Sequence, residues 1–345
     1  MRPAARTRVV FLILDAFALK RADRKNSTAI WDWSDRGAGA RVGRSVLASS
    51  TYPNHATFAT GVGPAGHGIF TNHVIRDGTV LPAFQVGPMA PTIFDSCQAA
   101  GMETEAILGD HHLVGVMGAR AANRHWPPDG ELDSQMQLDP LGYPHDDEVL
   151  PRLESALAGS ADLVVGYFGS IDTHSHIFGP DSPEAAEAYR SLDGRLRQVN
   201  EALAPDWDRT ILMVASDHDQ VTALDRPPVD LRARAESAGA QAIVVDEGDA
   251  ALVGTASPDW MSGCDGLAGW TTVGEGQYLA WSEPGRWFGA TDGFPVKGLH
   301  GGEHTRDQLA LISGGHPAVA AIAEQLGSVP EAAAWAGAIR AGLGI

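Results

Sequence analysis

The dipeptide Asp217-His218 follows the apolar run Ile211-Leu-Met-Val-Ala and sets a carboxylate and an imidazole side by side at the end of a β-type segment. In an open α/β sheet, ligands bind beyond the carboxyl ends of the strands. The arrangement recurs along the chain. Val9-Val-Phe-Leu-Ile-Leu14 delivers Asp15, and Leu163-Val-Val-Gly-Tyr-Phe168 runs to Asp172, with His176 four residues later. His300, in Leu299-His300-Gly-Gly, precedes the apolar run Leu309-Ala-Leu-Ile312. Carboxylate oxygens and imidazole nitrogens bind a zinc-like ion at about 2.0–2.2 Å, and this set has donors enough for two ions. Asp172 and His176 have the spacing that shares one face of a helical turn.

A nucleophile candidate lies between the first two of these strands, in Ser49-Ser-Thr-Tyr-Pro-Asn-His-Ala-Thr-Phe-Ala-Thr-Gly61. Pro53 suits the first turn of a helix, which puts Thr51 at the mouth of the helix N-terminus. The positive end of the helix dipole and a coordinated metal ion both favour an alkoxide there. The same helix end attracts an anionic phosphoryl group. Taken alone, the segment also reads as a capping motif.

These residues need a scaffold of alternating strands and helices. Strands are expected at about 8–14, near Thr104–Leu108, at 162–168, 210–215 and 308–312. Helices are expected from near Pro53, at about 92–100 and 147–158, and from Ser182 to Leu203. In the last, Ser182 can cap, Pro183 suits the first turn, and Tyr189, Leu192, Leu196, Val199 and Leu203 recur at helical spacing. Two Ala-rich helices follow the last strand. From about 221 to 297 the texture changes to short alternating runs, Gln241–Val245, Ala250–Val253 and Gln277–Trp281, after a helix-like Pro228–Ala238. This stretch reads as a small inserted subdomain. An open, largely parallel sheet with helices on both faces accounts for the remainder.

The 345 residues are 44% hydrophobic, ample for a large core. A formal charge of −18, from 25 basic and 43 acidic residues, argues against duplex nucleic acid as a partner. It does not exclude a small phosphate ester, since bound cations reverse the local field. Cys97 and Cys264 form no CxxC pair and suggest no disulfide framework. The N-terminal Met1-Arg-Pro-Ala-Ala-Arg-Thr-Arg is leader-like, but Asp15 interrupts the apolar run behind it, so that run reads as a first strand. No stretch reaches the roughly 20 apolar residues of a membrane span, and a cytoplasmic location is expected. Oligomeric state is not legible.

Asp15, Thr51-Tyr-Pro-Asn-His, Gly68-Ile-Phe-Thr-Asn72, Asp172-Thr-His-Ser-His176, Ser216-Asp-His218 and His300-Gly-Gly occur in one order. Together they resemble the alkaline phosphatase superfamily, and within it the nucleotide pyrophosphatase/phosphodiesterase branch. The resemblance implies a three-layer α/β core, 1–220 and 298–345, with a small α+β subdomain inserted at 221–297. It implies two divalent metal ions, usually zinc, one held by Asp15, Thr51, Asp217 and His218 and the other by Asp172, His176 and His300. Thr51 matches the nucleophile, and Asn72 matches a residue that contacts a phosphoryl oxygen. The implied reaction is hydrolysis of a phosphodiester or pyrophosphate bond in a nucleotide-like or other small substrate, through a phosphothreonine. Two cations about 3.5–4 Å apart can stabilise the attacking and leaving oxygens of an in-line displacement.

The alternatives are a phosphonoacetate-type hydrolase, a phosphomonoesterase, and a noncatalytic metal-binding scaffold. A positively charged clamp would favour a dianionic monoester, and an aromatic or apolar cleft a diester. Glu303-His304-Thr305 resembles the corresponding segment of alkaline phosphatases themselves, so His304 competes with His300 as last ligand. His174 is left out because its spacing does not match the family. Tyr52 stands where the branch often has an aromatic that supports a flat group, with a packing role as the alternative. His55 and His67 are expected to organise loops, and His111-His112 to form a surface loop, with lining of the cleft as the alternative. Two departures from the family, Ala16 where Gly is common and Asp219-Gln220 after the Asp-His pair, are expected to concern loop shape.

Overall fold

The computed structural model describes residues 6–289 and 296–345. The start of the leader-like segment, residues 1–5, and part of the 221–297 stretch, residues 290–295, lie outside the described residues. Seven strands make the central sheet: β1 (Arg8–Leu14), β2 (Arg41–Arg44), β3 (Thr104–Leu108), β4 (Arg124–Trp126), β5 (Leu163–Phe168), β6 (Thr210–Ala215) and β7 (Asp307–Ser313). Their spatial order is β2-β7-β6-β1-β5-β3-β4. Pairing is parallel through β6, β1, β5, β3 and β4. β7 is antiparallel to both of its neighbours.

Every residue of β1, β5 and β6 is buried, as a parallel sheet covered on both faces requires. The covering helices include α1 (Thr28–Arg36), α2 (Thr51–Thr60), α3 (Asp146–Ala158), α4 (Ser170–Phe178), α5 (Pro183–Leu203) and α6 (Ala334–Leu343). The period of two along β1 assigns alternate residues to opposite faces. Val9, Phe11 and Ile13 pack with α2 and α6, where Phe11 meets Phe58 and Trp335 at ring-centroid distances of 5.7 and 5.4 Å. Val10, Leu12 and Leu14 pack with α1, α3 and α5.

α5 has the expected limits. The Ser182 hydroxyl accepts from the Ala185 amide at 3.0 Å, and all five residues of the expected stripe are buried. Each such leucine contributes roughly 1.5–3 kcal/mol by leaving water. α2 differs slightly from expectation, since it begins at Thr51 itself and puts Pro53 in its third position.

Between His218 and His300 lies a second, antiparallel sheet, with strands Ala242–Glu247, Ala250–Thr255, Gln277–Ser282 and Leu267–Gly274 in that order. Val229, Leu231, Val253, Trp260 and Met261 pack in its own core. The helix here is Leu231–Ser237, shorter than the Pro228–Ala238 pattern, because the Asp230 carboxylate caps it by accepting from the Ala233 amide at 2.9 Å. The two stems of this stretch pair with each other: Val221 faces Leu299 and Thr222 faces Gly298. That pairing returns the chain to His218's side before His300. Among the described residues, no helix is long and apolar enough to cross a membrane.

Candidate metal centre and nucleophile

Strand register alone assembles half of the site. Leu14 pairs with Phe168 and Ile13 with Ala215, so the residues just beyond β1, β5 and β6 meet at one edge. Asp15 follows β1, with its amide bonded to the Phe168 carbonyl at 3.0 Å. Asp217 and His218 follow β6. Asp172 and His176 lie one turn apart on α4, directly after β5. The paired stems bring in His300, and the Ser49 amide and hydroxyl reach the Gly301 and Gly302 carbonyls at 3.0 and 2.6 Å. Ser49 thereby ties the His300 loop to the turn that carries Thr51.

The expected residues converge. His218 Nε2 lies 3.5 Å from Asp15 Oδ1, 3.4 Å from Asp217 Oδ2 and 3.3 Å from Thr51 Oγ1. His176 Nε2 is 3.4 Å from Asp172 Oδ2 and 3.0 Å from His300 Nε2, and His300 Nε2 is 3.9 Å from Asp172 Oδ1. The His218 and His300 rings stack at 3.9 Å. Asp15, Asp217 and His218 form one group with potential ligand atoms within 4.8 Å of one another; Asp172, His218 and His300 form a second.

The donor set fits cations. Asp15 Oδ1 and Asp217 Oδ2 are buried without a hydrogen-bond partner. His218 Nδ1 faces the Asp219 carbonyl at 3.2 Å and His176 Nδ1 the Gly298 carbonyl at 2.9 Å. A carbonyl only accepts, so each Nδ1 carries a proton and each ring turns its Nε2 to the cluster. Burial first, then the Asp217 and Asp172 charges, pushes Asp15 well above the usual carboxylate range. Burial lifts Asp217 to about 7 and raises Asp172, although Asp172 keeps some contact with the cleft. Burial likewise drives His218 and His300 well below the ordinary imidazole value. Three crowded carboxylates that resist ionising and two imidazoles that resist protonation describe a site built around positive charge.

Thr51 is the first residue of α2. Asn54 braces the turn before it: its side-chain amide nitrogen donates to the Ser50 carbonyl at 2.9 Å and its oxygen accepts from Val46 at 3.0 Å. Asn72 lines the same cleft, and its Oδ1 is buried without a partner. His55 and His67 have the expected structural contacts, His55 Nδ1 with the Thr51 carbonyl at 2.7 Å and His67 Nε2 with the Thr57 hydroxyl at 2.9 Å. His174 turns back to the Ser170 carbonyl at 2.7 Å.

His304 lies elsewhere, with Nε2 2.7 Å from Asp249 Oδ2 in a hairpin of the second sheet. Of the two competing histidines, His300 is the one at the cluster. His111 and His112 lie partly exposed in a turn, and His112 is also packed inward. His112 stacks on Phe84 at 4.0 Å and faces the Tyr52 hydroxyl at 2.7 Å. Ala16 takes a left-handed φ of 54°, and its amide donates to Asp217 Oδ1 at 3.1 Å, so this position is a turn where a glycine would relax.

Three supporting residues escaped the sequence reading. The Tyr167 hydroxyl donates to Asp15 Oδ2. The Gln220 amide nitrogen donates to the Asp172 carboxylate, so the Asp219-Gln220 departure reaches an expected ligand and is more than loop shape. Asp219, 1% exposed, is held by Lys20 and Arg21. Tyr167 had a signal in its place one residue before the end of the strand that leads to Asp172, and Asp219-Gln220 had one as a departure from the family.

A family model described as type I phosphodiesterase/nucleotide pyrophosphatase matches residues 9–260. The venom phosphodiesterase of Macrovipera lebetinus is 30% identical over 175 residues, 48% of this chain and 20% of that protein. Human ectonucleotide pyrophosphatase/phosphodiesterase family member 7 is 39% identical over 72 residues, 20% of this chain and 16% of that protein. The matches thus span a fifth or less of these relatives' lengths. Murine ectonucleotide pyrophosphatase/phosphodiesterase 5, inactive and in complex with AMP, superposes with a TM-score of 0.76 at 14% identity, over 98% of this chain and 95% of that one. Phosphonoacetate hydrolase from Sinorhizobium meliloti 1021, in complex with phosphonoformate, does so with 0.73 at 16% identity, over 99% and 97%. At these identities the superpositions speak for the fold, the α/β architecture of the alkaline phosphatase superfamily. With a family match over most of its length, this chain belongs to the type I phosphodiesterase/nucleotide pyrophosphatase family.

Proposed function

We propose that the chain is a metal-dependent hydrolase of phosphodiester or pyrophosphate bonds that works through a phosphothreonine on Thr51. The carrying observation is the position of Thr51 Oγ1, 3.3 Å from His218 Nε2 at the N-terminus of α2, beside buried carboxylate oxygens that lack partners. In this reading Asp15, Thr51, Asp217 and His218 hold one divalent cation, and Asp172, His176 and His300 hold a second, with zinc suited to the nitrogen and oxygen donors. When bound, such ions supply Lewis acidity at the attacking and leaving oxygens. Thr51 attacks phosphorus with its hydroxyl oxygen, the alcohol or phosphate leaves, and water then cleaves the phosphothreonine. The N-terminal amides of α2 and the Asn72 side chain orient the phosphoryl oxygens. Tyr167 and Gln220 hold Asp15 and Asp172 in place. The core formed by 1–220 and 298–345, with 221–297 inserted, belongs to the same proposal.

A diester is favoured over a phosphonoacetate-type or monoester substrate. Those substrates carry a second negative charge that calls for a cationic side chain, and among the described residues no Lys or Arg lines the cleft over Thr51. The test is a parallel rate comparison on a nitrophenyl diester, a nitrophenyl monoester, a dinucleotide and phosphonoacetate, with zinc-loaded and chelator-treated protein. Zinc-dependent turnover led by a diester is expected. Inactivity of the zinc-loaded protein on all four would favour the noncatalytic scaffold, and preference for phosphonoacetate would reassign the substrate.

A further inference from the structure

The second sheet carries a buried carboxylate that the proposed reaction does not use. Glu247 ends the strand Ala242–Glu247; its side chain is 9% exposed, and its Oε1 lies 2.7 Å from His73 Nδ1. Side chains alternate along an extended chain, so with Asn72 turned into the cleft its neighbour His73 turns the other way, towards the second sheet. His73 opens a hairpin, His73–Arg76 paired with Thr79–Pro82, that leans on that sheet. Ile75 packs with Val245 and Leu252, Phe70 joins the same cluster, and the Gln277 side chain donates to the Ile75 carbonyl at 3.1 Å. Burial raises the Glu247 carboxyl and its bond to His73 opposes that rise, while the same bond raises His73. Each partner thus favours the other's charged form.

Asn72 needs such a support. Its Oδ1 is buried without a partner, so the backbone that carries the side chain must direct it. The Ala83 amide bonds the Asn72 carbonyl at 2.9 Å and the Thr71 hydroxyl donates to the His73 carbonyl at 2.8 Å, but these bonds lie within the turn and its own hairpin. The bond from His73 to Glu247 ties the turn to a separate sheet. That sheet also meets the stretch before Thr51, where Ala48 packs on Ala250 and Leu279. One platform therefore carries both the turn that delivers the nucleophile and the turn that delivers Asn72. We infer that Glu247 is a positioning residue: through His73 it holds Asn72 at the phosphoryl oxygens, which gives the inserted stretch a part in the reaction. This role rests on the phosphodiesterase reading. A misplacement of about 1 Å can lower a rate about 10²-fold. Loss of Asn72 itself sets the ceiling, since a positioning residue can forfeit no more than the group it positions contributes.

The test is a double-mutant cycle on kcat, with zinc-loaded protein and bis-p-nitrophenyl phosphate. Glu247→Ala should lower kcat about tenfold or more, within the roughly 10²–10³ lost in Asn72→Ala, and change KM less than about twofold. Bound zinc should stay the same, because the Asp249 amide that meets the His300 carbonyl is backbone and remains. Glu247→Gln keeps an acceptor for His73 Nδ1 and should recover most of the rate. Added to Asn72→Ala, Glu247→Ala should change kcat less than about twofold, because the group it positions is already gone. A general weakening of the fold would instead multiply the two losses. Should Glu247→Ala not fold, His73→Ala breaks the same bond from its half-exposed side and serves in its place. An undiminished kcat in either single variant, multiplied losses in the double variant, or zinc lost along with activity overturns the inference and leaves the phosphodiesterase reading intact. Absence of zinc-dependent diester hydrolysis by the unaltered protein overturns both.

Discussion

Replacing Gln220 with leucine tests whether the groups behind the carboxylates set the strength of metal binding. Gln220 is 1% exposed, and its amide nitrogen bonds the Asp172 carboxylate and also the Asp172 carbonyl at 3.3 Å. Its backbone amide is fixed by Asp219 Oδ1 at 2.7 Å, and Asp219 by Lys20 and Arg21. Leucine keeps the approximate volume and removes the donor. A hydrogen bond to a charged group contributes about 1.5–3 kcal/mol, which at about 1.4 kcal/mol per factor of ten in affinity corresponds to roughly 10–100-fold. Loss of outer-shell partners at metal sites has effects of the same size. Equilibrium dialysis against zinc with a competing chelator should therefore show one of two sites weakened about 10–100-fold. The other should change little, because Asp15, Asp217 and His218 do not touch Gln220. Activity at saturating zinc should largely recover. Unchanged affinity at both sites in a folded variant would refute the argument, and so would an activity loss that zinc does not relieve.

Three further outcomes follow from the same geometry. Asn72→Ala should lower kcat by roughly 10²–10³, the usual cost of one transition-state oxyanion donor, and near-normal turnover would remove Asn72 from the mechanism. His300→Ala should lose bound zinc, whereas His304→Ala should keep it but melt earlier, since the Asp249 carboxylate would stay buried without its partner at a cost of about 3–5 kcal/mol; a silent His300→Ala reverses the assignment. The metal-free protein should lose stability as pH rises from about 4 towards 7, measured by denaturant unfolding. Asp217 is lifted to about 7 by burial, so the folded state holds a proton that the unfolded chain, with an ordinary carboxylate, has already released. Zinc should abolish this slope, and a flat or rising metal-free profile would contradict it.

The parts of the fold legible in the sequence were those governed by local pattern. β3 and β6 lie at their expected limits, and α5 has its cap, its proline and its buried stripe where the residues indicated. What escaped depends on distant partners. β2 and β4 are four and three residues long, and their partly exposed patterns carry no alternation to notice. The strand Leu267–Gly274 contains two register shifts that break its period of two. The reversed direction of β7 is a property of the chain's return from the second sheet, which no periodicity in 308–312 records.

The candidate site shows the same division. Residues delivered by a strand end were readable, because an apolar run that stops at Asp15, or at Asp217-His218, announces where its carboxylate must point. Residues that act from behind were not. Gln220 matters only because the stems Val221–Thr222 and Gly298–Leu299 pair, seating it between the Asp172 carboxylate and the strand that leads to His300. A side chain on Gly298 would collide with it. Asp249 likewise gains its meaning from a hairpin some fifty residues before its partner His304. The second sheet therefore reaches the centre through the His300 loop, where the Asp249 amide bonds the His300 carbonyl at 3.3 Å and Ser49 holds the other side. A change in that hairpin should be felt at His300 before it is felt at Asp15, whose nearest partners Tyr167, Asp217 and His218 lie in β5 or directly follow β6.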